Sequence, residues 1–136
     1  MEKKYIYYLG ETNRIENSFN KIIKKEVYLG HIILRFIRLE EDDLTSVFSK
    51  FLEAPPRALF LELNKFNINF KNFLLLMKSH SKLRNVRYFS VFEEKNILEQ
   101  IKNIYSFGME YGFILGEELD DVLRDAIYLS VDSNVI

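Results

Sequence analysis

Cysteine does not occur in this chain of 136 residues. Disulfides, thiol catalysis and thiolate metal sites are thereby excluded. Histidine is nearly as scarce. His31 and His80 stand alone, with no second imidazole at helical spacing, so no zinc ligand set can be drawn. No segment approaches the roughly 18 consecutive apolar residues that a membrane-spanning helix needs. The opening Met-Glu-Lys-Lys-Tyr is not followed by an apolar stretch of signal-peptide length either, which predicts a cytoplasmic protein. Charge of one sign is also missing. Nineteen basic residues against twenty acidic ones leave a net charge of −1, so nothing draws the chain generally to nucleic acid or to an anionic membrane. The charges are unevenly placed, with Lys3, Lys4, Lys21, Lys24 and Lys25 early and Glu117, Glu118, Asp120, Asp121 and Asp125 late. That asymmetry reads as two solvated faces. The glycines do not carry the spacing that lets a backbone wrap phosphates. Gly10-Glu-Thr-Asn13 offers one hydroxyl and an acid where a flavin phosphate loop would want several hydroxyls, and no cofactor is expected.

What is present is apolar and regularly arranged. The chain is 48% hydrophobic and 29% charged, the balance of an ordinary globular protein. Its length suits one domain, 1–136, able to bury roughly two-thirds of the surface the unfolded chain exposes. Strand-like and helix-like pieces alternate almost to the end. Residues 5–9 form a β-prone run closed by Gly10. Thr12 or Asn13 then caps a helix whose apolar positions Ile15, Phe19, Ile22 and Ile23 follow the helical period. Residues 31–37 give a second strand. Asp42-Asp43 open a second helix, with Leu44, Val47, Phe48, Phe51 and Leu52 inward, and Pro55-Pro56 close it. The third strand covers 57–63, a loop covers 64–69, and a third helix runs through Phe73 to Met77. A fourth strand (86–92), a long helix (94–107), a turn from Gly108 to Gly112, a fifth strand (113–115) and a last helix (119–129) follow. The tail from Ser130 is predicted to be loose. Strands separated by connections too long for hairpins predict an α/β fold. Right-handed crossovers make it a doubly wound five-stranded parallel sheet with helices on both faces.

Within this pattern Arg57-Ala-Leu-Phe-Leu-Glu-Leu-Asn64 stands out. It is an apolar strand, buried on both faces, that ends in an acid and an amide. In open α/β sheets, ligand and phosphoryl sites lie beyond the carboxyl ends of the strands. Val47-Phe48-Ser-Lys-Phe51 followed by Ala58 to Asn64, together with Gly108-Met-Glu-Tyr-Gly112-Phe-Ile-Leu and Ile6-Tyr-Tyr-Leu-Gly-Glu11, resembles the receiver domain of bacterial response regulators. The likeness runs from Tyr5 to Ser130. It implies the flavodoxin-like strand order 2-1-3-4-5.

The resemblance also implies a phosphoacceptor pocket, carried over position by position. Two acids after the first strand and an aspartate at the third would hold magnesium through hard oxygen ligands. Here those positions are Gly10, Glu11 and Glu62. A hydroxyl after the fourth strand and a lysine after the fifth would neutralise phosphoryl oxygens. Those positions are Ser90, followed by Val91, and Gly116, followed by Glu117. The pocket Glu11, Glu62, Asn64, Ser90 and Gly116 is thus degenerate. Magnesium is left with Glu11, Glu62 and a carbonyl near Asn64, and binds weakly if at all. The resemblance therefore implies a pseudo-receiver, without enzymatic activity, that signals by protein–protein contact. Its partner would be a signalling protein or sensor kinase, or a second copy in a homodimer, met through Tyr105, Phe107, Tyr111 and Phe113 near the fifth strand.

Plainer readings stand beside each residue. Glu11 at the start of the first helix complements its dipole, Ser90 in a strand can bond to its own backbone, and Glu62 can turn to solvent beside Asn64. With 15% of the chain aromatic, core packing is the commoner role for such aromatics. Residues 59–126 also look like a STAS domain, the partner-switching fold of anti-sigma-factor antagonists. Phe70-Lys71 stands there in place of the phosphorylatable serine, and residues 10–25 read as a helix where paired amino-terminal strands are wanted. A small flavodoxin-like ligand-binding protein is the remaining alternative.

Overall fold

The computed structural model describes residues 3–26, 29–38, 44–62, 68–92, 111–114 and 119–131, with backbone alone for 68–70, 92 and 111–114. Its elements are β1 (Lys4–Gly10), α1 (Glu16–Lys25), β2 (Ile32–Arg38), α2 (Leu44–Glu53), β3 (Pro56–Glu62), α3 (Ile68–Ser79), β4 (Arg87–Phe92), β5 (Tyr111–Ile114) and α4 (Leu119–Val131). Strand β1 pairs in parallel with both β2 and β3, and β3 pairs in parallel with β4. The sheet is therefore ordered β2-β1-β3-β4, and the short β5 lies parallel beside β4.

Alternation along the strands sorts the core into two layers. Ile6 and Tyr8 of β1, Ala58 and Phe60 of β3, and Phe89 and Val91 of β4 pack with Phe19 and Ile22 of α1 and Leu123, Ala126 and Ile127 of α4. Tyr7 and Leu9, Leu59 and Leu61, and Tyr88 face the other way, against Val47 and Phe51 of α2 and Phe73, Leu74 and Met77 of α3. Both faces of β3 are closed, since every residue of the strand except Arg57 is buried. A run that is apolar at consecutive positions can bury nowhere else than in the middle of such a sheet.

Several expectations shift. The start of α1 is capped by neither Thr12 nor Asn13. Ile15 stands at the cap position with φ −103° and ψ −1° and no side-chain cap bond. Its carbonyl accepts the first helical bond from Phe19 N–H at 2.8 Å, and its side chain is fully buried. Anchoring an isoleucine in the core has fixed the helix entry in place of a polar cap. Strand β3 begins at Pro56 and not Arg57, a position a proline tolerates because its missing N–H costs least at a strand's first residue. Helix α3 takes in Ile68 and Asn69, expected in a loop, and β5 takes in Tyr111 and Gly112, expected in a turn. The last helix runs on through Ser130 and Val131, which the sequence assigned to a loose tail. Ser130 Oγ donates to the Ala126 carbonyl at 2.7 Å, so its buried hydroxyl is satisfied within the helix. The helix expected at 94–107 lies outside the described residues, as do Asp42 and Asp43.

Candidate functional site

The register of β1 and β3 sets the site. Leu9 pairs with Leu61, so one step further Gly10 lies beside Glu62 at the carboxyl ends of two central strands. Glu62 continues the face of Ala58 and Phe60, and is only 4% exposed. Its side chain is turned into the sheet and not to solvent. The space it needs is provided by its neighbour. A β-carbon built on Gly10 would lie 2.5 Å from Glu62 Oε1 and 2.8 Å from Cγ, closer than any real contact. The absence of a side chain at position 10 is what admits the glutamate.

A buried carboxylate has to be met by donors. Tyr8, two residues before Gly10 on the same strand face, donates its hydroxyl to Glu62 Oε1 at 2.7 Å. The Glu11 backbone N–H points at Oε2 at 3.4 Å. Arg14, in the turn that leads to α1, brings Nε to 3.7 Å from Oε1 with its side chain partly exposed. Arg38 at the end of β2 donates from Nε to the Glu11 carbonyl at 3.2 Å, tying the edge strand to the same turn. Burial pushes the Tyr8 hydroxyl well above its ordinary value, and its bond to Glu62 and that carboxylate's charge push it further. The Arg14 guanidinium and a backbone bond from Arg14 act in the opposite direction. Tyr8 is thus a proton donor held in its neutral form.

Of the residues predicted for the pocket, the structure brings Glu62 and the backbone of Glu11 together, with Gly10 between them. Ser90 is elsewhere. It pairs with Leu61, while Val91 pairs with Glu62. Alternation therefore puts the Ser90 side chain on the α2–α3 face and an apolar Val91 on the face of Glu62. Ser90 is fully buried, and its hydroxyl has no hydrogen-bond partner among the described residues. Asn64, Gly116, Tyr105 and Phe107 lie outside the described residues. Tyr111 and Phe113 lie in β5, described by backbone alone. Tyr8 and Arg14 were not expected at the site. Tyr8 had a visible signal, a polar-tipped aromatic two positions before the glycine on a strand, but nothing in the sequence says which strand end it meets.

The described donors around Glu62 do not fit magnesium. A divalent cation wants several oxygen acceptors, whereas among the described residues Glu62 meets a hydroxyl, an amide N–H and a guanidinium. Among the described residues no group of three acids or histidines gathers that could hold a metal. Two clefts lie away from Glu62. One of about 290 Å³ between α2 and α3 is lined by Leu44, Phe48, Phe73 and Leu76 among others, and one of about 430 Å³ opens at the amino ends of the strands.

No protein-family model matches the chain, and no curated protein matches it. Solved structures do. The receiver domain of a sensor histidine kinase from Pseudomonas aeruginosa superposes with a TM-score of 0.66 at 9% identity, covering 96% of this chain and 99% of that one. That structure carries a magnesium ion coordinated in its active-site cleft. A chemotaxis response regulator of Vibrio cholerae gives 0.61 at 9% identity over 91% and 96% of the two chains. A histidine-kinase signal receiver domain from Clostridium thermocellum gives 0.59 at 11% identity over 94% and 97%. The chain has the receiver-domain fold of response regulators, matched over nearly its whole length. The sequence resemblance on which that fold was expected is correct at the level of architecture. Among the described residues no helix is long and apolar enough to cross a membrane.

Proposed function

We propose that this chain is a receiver-like signalling module that does not take up a phosphoryl group at Glu62 and acts by contact with another protein. The observation that carries the proposal is the self-contained burial of the Glu62 carboxylate, with Tyr8 on Oε1 and its atoms filling the volume beside Gly10. Phosphoryl transfer to a carboxylate requires an oxygen presented in line to the incoming phosphorus, with cations arranged around the equatorial oxygens. Glu62 spends one oxygen on Tyr8 and reaches a methylene further than an aspartate. Gly10 removes an acid that would help hold magnesium, and Gly116 stands where the family's lysine would be. In this reading the five strands complete a doubly wound sheet in the order 2-1-3-4-5. The module is cytoplasmic, needs no cofactor, and meets a signalling protein, a sensor kinase or a second copy of itself near β5.

The test is exposure to magnesium and acetyl phosphate followed by intact-mass measurement, with Glu62→Gln alongside. The unmodified mass is expected for both. A phosphoryl adduct present in the parent chain and lost in Glu62→Gln would overturn the reading. The partner-switching alternative gains nothing here, because β1 and β2 are parallel and joined by α1 where that fold wants paired amino-terminal strands.

A further inference from the structure

The sheet has a second end, and it carries an unmatched charge. At the amino ends of β1 and β3 the cleft of about 430 Å³ is lined by Lys3, Lys4, Arg57 and Lys82, with Glu53 as the one acid among the described residues and the Pro55-Pro56 pair as a wall. Its volume falls within the range of small-molecule sites. We propose that this cleft binds a small soluble ligand bearing a phosphate group, held by Lys3, Arg57 and Lys82.

The charge is local and not a result of composition, since the whole chain carries −1. Lys4 is committed, its Nζ donating to the Val131 carbonyl at 2.9 Å. Lys3, Arg57 and Lys82 form no ion pair among the described residues, and Arg57 and Lys82 are exposed. Lys4 keeps its charge while bonded to a neutral carbonyl, so four cations against one carboxylate leave an excess of three positive charges, which favours a multiply charged anion such as a phosphate. A guanidinium next to ammonium groups is the combination that recognises phosphate, through a planar fork and point charges.

Both walls are fixed in advance. The Tyr7 hydroxyl donates to the Ala54 carbonyl at 2.9 Å, and the two prolines that follow have restricted φ. On the opposite wall Lys82 N–H donates to His80 Nδ1 at 3.1 Å, and the turn closes through Leu83 N–H to the His80 carbonyl at 3.0 Å. A preformed site loses less on binding. The length of β3 separates the cleft from Glu62 by about 20 Å, so the proposal stands or falls independently of the phosphoryl chemistry at the other end.

The experiment is calorimetric titration of the full chain with inorganic pyrophosphate at low ionic strength. Saturable binding is expected, weakened about tenfold by Arg57→Ala and by Lys82→Ala. Glu53→Gln is expected to tighten it. All three side chains are exposed, so unchanged thermal melting is expected and separates loss of the site from loss of the fold. No saturable heat, equal weakening by the distant Lys21→Ala, or retention on anionic phospholipid vesicles without pyrophosphate binding would each overturn the proposal.

Discussion

Gly10 and Glu62 share one volume: the Glu62 carboxyl and Cγ stand where a β-carbon at position 10 would be. The two positions are therefore coupled, and neither identity can be understood alone. A larger residue at 10 must expel the glutamate from its donors or distort β1. Gly10→Ala is expected to destabilise the chain by about 1–3 kcal/mol, the range for overpacking a closed core. Glu62→Asp withdraws the carboxylate by a methylene, and Gly10→Ala should cost less in that background. A double-mutant cycle by urea denaturation reads this directly, with coupling of about 0.5–3 kcal/mol expected for residues in contact. Additive costs would mean that the clash is relieved elsewhere.

That coupling also marks how far the sequence could be read. Strand β3 was legible because the residues from Ala58 to Leu61 can be apolar at consecutive positions only if both faces are covered. The βα alternation was legible because Phe19, Ile22, Val47 and Phe51 keep the helical period. Register was not. A sequence gives the alternation within a strand, but not the partner residue on the next one. The family resemblance placed Ser90 at the pocket, and the pairing of Glu62 with Val91 puts it on the other face. For the same reason Tyr8 escaped notice, since its partner lies 54 residues away. Capping at α1 failed for a different cause, tertiary burial of Ile15 overriding a local polar preference.

The hydroxyls of Tyr7 and Tyr8 separate a charged acceptor from a neutral one on adjacent residues. Tyr8 donates to a buried carboxylate and Tyr7 to the Ala54 carbonyl. Bonds to charged groups contribute about 1.5–3 kcal/mol and neutral ones about 0.5–1.5 kcal/mol. Tyr8→Phe should therefore destabilise more than Tyr7→Phe in chemical denaturation at neutral pH. Among the described residues it also leaves Glu62 with only the Glu11 amide and the half-exposed Arg14. Equal costs would show that water or a rearranged Arg14 replaces the Tyr8 bond.

Both tyrosines also predict a response to alkali. Burial is the main cause raising each above the ordinary 10.0, and for Tyr8 the neighbouring Glu62 raises it further. When the folded pKa lies above the unfolded one, the folded chain keeps a proton that the unfolded chain has released. Stability is then fully present below the unfolded value and falls as pH rises above it. The melting temperature should hold up to about pH 9 and decline by about pH 11. Tyr8→Phe should flatten that decline. In an ultraviolet phenolate titration, Tyr8 should ionise only as the chain unfolds, and Tyr7 later than an exposed tyrosine.

The last contrast concerns which face of β4 can reach Glu62. Ser90 carries a fully buried hydroxyl with no partner among the described residues, a group whose removal can relieve an unmet desolvation penalty. Ser90→Ala is expected to be neutral or stabilising, by up to about 1 kcal/mol. It should leave the Tyr8 titration unchanged, because its side chain belongs to the α2–α3 layer. Val91 is the opposite case. It pairs with Glu62 and is packed among the apolar residues of the α1–α4 layer. Val91→Thr introduces a hydroxyl on the Glu62 face at nearly constant volume, a swap that is not conservative for that reason. Destabilisation of about 1–3 kcal/mol is expected if the new hydroxyl stays unpaired. If it instead competes for Glu62, the Tyr8 hydroxyl loses part of its acceptor and its titration moves back toward the ordinary value. A shift in Tyr8 on Ser90→Ala and none on Val91→Thr would mean that the register of β3 and β4 differs from the one described here.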